Sequence, residues 1–272
     1  MPNPREIAAE SVLALLPMAG RATRLGQQSA SKEVLFVRQD AGGEQAPLAS
    51  FLLAHLTDAG IYRGLVVTRS DKPDIEATFG TGGGYQMQLR YQYLERSTST
   101  PFTLAAALEG RHNQVCALGF ADILFRPCQA YTRLLAHLNA HPNCDLALGL
   151  FPTEQPELVD MVDMVDFDDT NPSQSYPSGR VSRLVIKSAE PNKLRYTWSI
   201  ALWRPQFSQY LSGWIKRQAS SRPDGAGEQY VGDVIQAAIR DGFDVRAVRV
   251  STLPALDAGT PPALAKARRG DW

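Results

Sequence analysis

Short apolar runs alternate through the first half of this chain with segments whose apolar residues recur at helical spacing, and few folds tolerate that rhythm. Val12-Leu13-Ala14-Leu15-Leu16 is closed by Pro17 and followed by the small, polar, glycine-containing stretch 18–31. This reads as a buried strand running into a loop. Pro47 then opens a segment with Leu48, Phe51, Leu52, Leu56 and Ala59 on one helical face, and Gly60 stops it, the Pro-first, Gly-last order of a helix. The pattern predicts strand 64–68, helix 73–79, strand 88–93, helix 102–108, strand 114–118, helix 127–138 and strand 145–150. Strands of this kind separated by helices imply an α/β chain with a doubly wound, mostly parallel, Rossmann-like sheet covered on both faces.

From residue 151 the rhythm changes. Segments 164–168, 181–187 and 195–203 read as strands separated by Pro-, Ser- and Asn-rich connections, which predicts a small antiparallel extension. Segment 169–179 reads as a mobile surface loop, and 220–227 as a polar turn. Two stripes at i, i+3, i+4, i+7 and i+8 (Phe207, Tyr210, Leu211, Trp214, Ile215; and Val231, Val234, Ile235, Ala238, Ile239) mark helices with core-facing sides. A strand over 243–250 then leads to Leu256-Asp257-Ala258-Gly259-Thr260-Pro261 at the start of a final helix. The expectation is a single domain over 1–272, with a C-terminal elaboration in its second half.

Charge narrows the partners. The chain has 28 Lys+Arg against 28 Asp+Glu, a net charge of zero. It therefore has no global attraction to nucleic acid or to an anionic membrane, and any anion must be held by a local arrangement. A small-molecule partner is expected, and nothing decides between monomer and homo-oligomer. No apolar run approaches the roughly 20 residues of a membrane span, and the first residues lack a leader's basic-then-apolar order, so the expected location is cytoplasmic. Cys116, Cys128 and Cys144 form no metal-ligand spacing and read as buried thiols. His137 and His141 stand four apart before Pro142 without an intervening glutamate, and read as a helix-end pair.

Chemistry concentrates at the ends of predicted strands. Met18, Ala19, Gly20, Arg21, Ala22, Thr23 and Arg24 follow the first strand, where small residues let backbone N–H groups approach an anion closely. Arg24 and Lys32 add two cations, so the loop reads as a triphosphate cradle at the edge where α/β sheets bind ligands. The Gly-Lys-Ser/Thr of a Walker loop is missing, and so is a GxGxxG fingerprint. Asp122 follows the strand over 114–118 and lies among apolar residues, while Asp257 follows the last strand. Two carboxylates at strand ends suit a shared hard cation such as Mg²⁺ that also meets substrate phosphates. A helix cap is the plainer alternative for each.

Taken together, these stretches resemble the sugar-phosphate nucleotidyltransferases, typified by glucose-1-phosphate thymidylyl- and uridylyltransferases. The segment Pro17 to Leu25 is similar to that family's nucleotide-binding loop, with Lys32 at its following lysine. Leu118-Gly119-Phe120-Ala121-Asp122 and Leu256-Asp257-Ala258-Gly259-Thr260-Pro261 resemble its two metal-aspartate motifs, and Glu228-Gln229-Tyr230-Val231-Gly232-Asp233 its acidic stretch before a helix. Ile186-Lys187 is similar to its Glu-Lys motif. The resemblance implies a nucleotidyltransferase fold with a nucleotide-binding half over 1–150 and an acceptor-binding half over 151–272. It also implies Arg24 and Lys32 as catalytic cations, Asp122 and Asp257 as Mg²⁺ ligands, and Lys187 at the acceptor's phosphate. Trp198 and Tyr196 are candidate walls beside Lys187, with core packing the competing reading. The reaction implied joins an NTP to a sugar 1-phosphate or related phosphate and releases pyrophosphate.

Four departures accompany the resemblance, one of them Asp163, which falls near a usual glycine that approaches the sugar. Ala22 replaces a loop glycine, Ala106 stands where a base-reading glutamine is usual, and Ile186 takes the place of the glutamate before Lys187. They predict an acceptor site that reads shape and phosphate more than hydroxyl pattern. Two alternatives stay open. One is a nucleotide-sugar-dependent glycosyltransferase, for which Asp163, Asp166, Asp168 and Asp169 offer other acidic groups; the other is a non-catalytic nucleotide-binding regulatory protein.

Overall fold

The computed structural model describes residues 6–26, 30–170, 176–187, 193–221 and 228–272. In chain order, β1 (Leu13–Pro17), β2 (Phe36–Arg38), β3 (Gln45–Pro47), α1 (Leu48–Asp58), β4 (Arg63–Thr68), α2 (Pro73–Phe79) and β5 (Gln88–Tyr93) come first. They are followed by α3 (Thr100–Leu108), β6 (Cys116–Gly119), β7 (Ile123–Leu124), α4 (Ala130–Ala140), β8 (Leu146–Pro152), β9 (Asp160–Val165) and β10 (Ser178–Ile186). The last elements are β11 (Tyr196–Trp203), α5 (Pro205–Ser221), α6 (Val231–Arg240), β12 (Val245–Arg249), β13 (Leu256–Asp257) and α7 (Pro261–Arg269).

This is a mixed α/β architecture on a central nine-stranded sheet, ordered β5-β4-β1-β6-β11-β8-β12-β10-β9. β5, β4, β1 and β6 are parallel. β11 then runs against both its neighbours, β6 and β8, while β12 is parallel to β8 and β10 opposes β12 and β9. The antiparallel part is thus larger than a small extension. It also bends back on itself, because Met161 of β9 pairs with Thr197 of β11. Apolar runs report that a strand is buried, but not its direction. β11 runs parallel to β10, with which it does not pair, and against β6, β8 and β9, so its direction is set by partners distant in sequence.

Alternate residues of β1 feed two cores. Ala14 and Leu16 pack with α1 and α4 on one face, whereas Leu13 and Leu15 pack with α3, α5 and α6 on the other. Burying each such leucine contributes about 2 kcal/mol. Because β1 and β6 are parallel neighbours, the loops after them leave the sheet at one edge. β11 begins at that same edge, since its Ile200 pairs with Gly119 at the end of β6.

Some boundaries differ from the sequence reading. β9 covers Asp160–Val165 instead of 164–168, because Asp166 takes a left-handed turn at φ 58°. β10 begins at Ser178, and residues 171–175 of the expected surface loop lie outside the described residues. α5 continues to Ser221, and 222–227 of the expected turn lie outside them too. Cys116 and Cys144 are buried free thiols, and Cys128 is half-buried. The His137 and His141 rings stack 4.0 Å apart at the end of α4. Among the described residues no helix is long and apolar enough to cross a membrane.

Candidate active site

The loop after β1 is pinned from below. The Met18 N–H donates to Val67 at 2.8 Å, so this residue extends the parallel ladder, and its side chain is buried with Ala19. Gly20 and Arg21 are exposed, and a side chain at Gly20 would meet open space. Ala22 adopts a left-handed conformation, φ 52° and ψ 35°, and starts the short 3-10 turn Thr23–Leu25 that carries Arg24. The pin is Lys72, buried just before α2. Its ammonium donates to the Met18 and Gly20 carbonyls at 2.7 and 3.2 Å and to the Glu33 carboxylate at 2.8 Å. Further along, Ser31 donates from its backbone and hydroxyl to Asp74, at 2.6 and 2.7 Å.

The two strand-end aspartates meet through the smallest sheet in the protein. β13 pairs with β7, Asp257 opposite Ile123 and Leu256 opposite Leu124, and the Ala258 N–H donates to the Asp122 carbonyl at 2.8 Å. Gly259 sits where they converge. A Cβ there would lie 2.7 Å from Asp257 Oδ1, 2.8 Å from an Arg24 guanidinium nitrogen and 3.4 Å from Asp122 Oδ2, so a side chain would have to displace the Arg24 and Asp257 tips. Lys32 ion-pairs with Asp122, both largely buried, and Arg24 pairs with Asp257 at 3.1 Å, both largely exposed. Burial opposes the charge on Lys32, but Asp122, Glu33 and Asp257 outweigh it and raise its pKa above the usual lysine value. Burial likewise works against ionised Asp122, yet Lys32 and then Arg24 hold its carboxyl below the usual range. Glu33 behaves otherwise, its carboxyl pushed up by burial despite Lys72 and Lys32.

Two carboxylates and two cations therefore lie where the loop, β6 and β13 end. Among the described residues no three His, Cys, Asp or Glu side chains form a ready-made cation cage. Asp122 and Asp257 still fit Mg²⁺, which takes one or two carboxylates and completes its shell with water and substrate phosphates.

The second half of the chain contributes a different group. Lys187 ends β10 in a left-handed conformation, φ 40°, with its ammonium 3.5 Å above the Tyr230 ring. Trp198 is buried, its ring 6.1 Å from that of Phe120, the residue two before Asp122 in the chain. Tyr196 turns away from Lys187, donating to Asp169 at 2.7 Å and packing edge-on against Phe167. Asp160, which sequence reasoning missed, opens β9 opposite Ile186. Burial pushes its carboxyl up to about 6, Asp233 adding to the effect of burial while Lys187 and the Trp198 indole oppose it.

The other acidic candidates are committed elsewhere. Asp163 pairs with Arg183 at 2.9 Å, Asp168 accepts from Thr170, and Asp169 pairs with Arg195 as well as Tyr196. Glu33 and Lys72 were also missed. Their signals were a carboxylate beside Lys32 and ahead of Val34-Leu35-Phe36, and a lysine just before the helix-opening Pro73, each of which reads equally as an exposed charge. A cavity of about 350 Å³ lined by Arg126, Arg133, Tyr176 and Arg249 includes none of these residues.

No family profile and no curated protein matches the chain in sequence. Solved structures do match its fold. A protein from Bacillus anthracis assigned as a glucose-1-phosphate thymidylyltransferase, in complex with sucrose, superposes with a TM-score of 0.75 at 16% identity, covering 96% of this chain and 95% of that one. A UDP-glucose pyrophosphorylase complexed with UDP-glucose gives a TM-score of 0.73 at 13% identity, covering 94% and 97%. The chain thus has a sugar-phosphate nucleotidyltransferase-like fold over nearly its whole length.

Proposed function

We propose that this protein is a nucleotidyltransferase joining an NTP to a phosphate-bearing acceptor of the sugar 1-phosphate class, with release of pyrophosphate. The observation that carries this reading is the convergence of Asp122, Asp257, Arg24 and Lys32 at the end of the β1 loop. Transfer of a nucleotidyl group needs positioning and charge neutralisation more than a covalent nucleophile. An acceptor phosphate oxygen forms the new bond to the α-phosphorus as the bond to the bridging oxygen of the β-phosphate breaks. Arg24, exposed and ion-paired among the described residues with exposed Asp257, can exchange that carboxylate for the triphosphate and hold the departing pyrophosphate. Lys32, buried against Asp122, remains in place as a fixed positive charge beside the reacting phosphorus. When bound between Asp122 and Asp257, Mg²⁺ supplies further neutralisation of phosphate charge. Lys187 orients the acceptor's phosphate from the opposite side, and Trp198 forms part of the wall between the two halves.

The test is pyrophosphate release from each of the four common NTPs with Mg²⁺ and a panel of acceptor phosphates. Release that depends on both NTP and acceptor supports the reading. A nucleoside diphosphate released from a nucleotide sugar instead would point to glycosyl transfer. Binding of nucleotide without any turnover would point to a regulatory protein. The cations divide the labour: Arg24→Ala should weaken NTP binding about tenfold in calorimetry without acceptor, an ordinary loss for one charged contact, whereas Lys187→Ala should leave it intact. Equal losses would undo that division.

A further inference from the structure

The resemblance leaves the acceptor side without the carboxylate that precedes Lys187, because Ile186 stands there. The ladder returns one from the next strand. Ile186 pairs with Asp160 across β10 and β9, and directly opposed residues of an antiparallel pair project from the same face with their Cβ atoms about 5 Å apart. Both side chains reach one spot, the bare Cα of Gly232 in the first turn of α6. A Cβ there would collide with the Asp160 carboxylate and come within 3.3 Å of Ile186 Cγ1.

A structural role for Asp160 would be capping α6, and that role is already filled. The Tyr230 N–H at the start of α6 donates to Asp233 at 2.7 Å, closing a capping box with the Tyr230 side chain. Among the described residues, Asp160 Oδ1 and the indole nitrogen of Trp198 on the adjoining strand are buried and each lacks a hydrogen bond of good geometry, although the indole lies close enough to act on the Asp160 carboxyl. Unsatisfied buried polar atoms are rare in folded proteins and each needs an explanation. Here an acceptor and a donor meet only each other, out of alignment, beside a lysine held at φ 40° that makes no ion pair among the described residues.

We propose that Asp160 is the acceptor-recognition carboxylate of this site, transposed from β10 to its cross-strand partner on β9, and that it takes a polarised O–H or N–H carried by the phosphorylated acceptor. The inference rests on the nucleotidyltransferase reading for the identity of the site. Lys187 meets the phosphate, and Asp160 with Trp198 meets the group at the acceptor's other end. A phosphate without such a donor leaves Asp160 unpaired and is rejected, as sites built to hydrogen-bond a substrate reject analogues lacking the partner. Hydroxyl and ammonium groups both satisfy this chemistry.

The experiment uses the full chain, three probes and three variants. Glucose 1-phosphate carries hydroxyls, phosphoethanolamine an ammonium, and ethyl phosphate neither. Calorimetric binding of each to the protein without NTP is measured beside the KM values for acceptor and NTP. At least one donor-bearing probe should bind better than ethyl phosphate, and which one does so identifies the donor. Asp160→Asn should raise that probe's Kd and KM by about 10- to 100-fold, the loss expected of one charge-assisted hydrogen bond, and leave the NTP KM unchanged. Asp160→Leu should do the same, and Asp160→Leu combined with Ile186→Glu, which moves the carboxylate back across the ladder, should recover most of the loss. Unchanged binding and acceptor KM in a folded Asp160→Asn, parallel losses for acceptor and NTP, or wild-type binding no better for either donor-bearing probe than for ethyl phosphate would each overturn the proposal. Absence of pyrophosphate with every acceptor would instead strike the nucleotidyltransferase reading, while the binding measurement still decides the role of Asp160.

Discussion

On the nucleotide side of the site each aspartate has a cation in contact with it; on the acceptor side Asp160 has none among the described residues. Asp122 and Asp257 face Lys32 and Arg24, so that region is neutral before any ligand arrives. Asp160 is half-buried, with its Oδ1 enclosed, near Asp233, and Lys187 is engaged on Tyr230. The difference teaches what each side awaits. Paired charges hold the geometry of a polyanion site without leaving a bare charge in the protein, whereas an unpaired carboxylate is stable only as long as its cost is offset by the rest of the fold.

The largest effects should come from breaking the paired side. Asp122→Asn and Asp257→Asn are each expected to reduce Mg²⁺-dependent turnover about 100- to 1,000-fold, comparable to removing one fixed electrostatic stabiliser of a transition state. Their stabilities should diverge. Asp122→Asn leaves Lys32 buried without its counter-charge and should cost about 3 kcal/mol in urea unfolding, while Asp257→Asn breaks an exposed pair and should cost less than about 1 kcal/mol. Equal stability losses would mean that the Lys32 pair is not buried in solution. The Lys72 pin under the loop should show nearly as much. Lys72→Met strands Glu33, with an expected loss of about 3 kcal/mol and a weaker hold on NTP, and adding Glu33→Gln should return part of the stability because no bare charge remains. If the double variant is no more stable than Lys72→Met, the two side chains do not act as a pair.

A pH titration sharpens the comparison because the two sides have opposite signs. Asp122 has a lowered pKa, so its contribution to stability is present above the unfolded-chain value and is lost as pH falls through the folded one. Asp160 has a pKa raised to about 6. Between about pH 4 and pH 6 the folded chain keeps a proton there that the unfolded chain has released, so this group makes stability fall as pH rises through that window. Asp160→Asn should remove the fall and be more stable than wild type at pH 7 by about 2 kcal/mol. Urea midpoints at pH 4, 5, 6 and 7 check this, and a variant that tracks the wild type at every pH would show that Asp160 is solvated.

How much of this was legible before the structure depends on the range of the interaction. The strands over β1, β4, β6 and β8 carry apolar runs, β5 and β12 intersperse apolar with polar residues, and α1, α4 and α6 carry 3.6-residue stripes, so local patterning marks them. β9 lies in Met161-Val162-Asp163-Met164-Val165-Asp166, a three-residue repeat that fits several registers, and the sequence reading placed it too late. β7 and β13 are two residues each, too short for any period, yet they bring Asp122 to Asp257. The loop after β1 and its cations stood out as small residues next to a strand end. Lys72 and Asp160 did not, because what distinguishes them is a carboxylate 39 residues away in one case and a cross-strand partner in the other. Neither relation leaves a local trace.

The smallest expected effect tests strain that both sides share. Ala22 in the loop and Lys187 at the end of β10 are non-glycine residues at positive φ, 52° and 40°. Lys187 cannot report its strain cleanly, since any substitution also removes the ammonium. Ala22 carries only a methyl. An L-residue in the left-handed region costs about 1–2 kcal/mol, and glycine removes that cost while adding about 0.4–1 kcal/mol of unfolded-chain entropy. Ala22→Gly should therefore raise stability by a few tenths of a kcal/mol to about 1 kcal/mol. Ala106→Gly, in the helical conformation of α3, should lower it by about 1 kcal/mol. Thermal unfolding of the two variants thus gives opposite signs for the same chemical change. A loss at Ala22 equal to that at Ala106 would show that the loop relaxes out of the left-handed conformation in solution, and with it the backbone shape that presents Arg24 to the triphosphate.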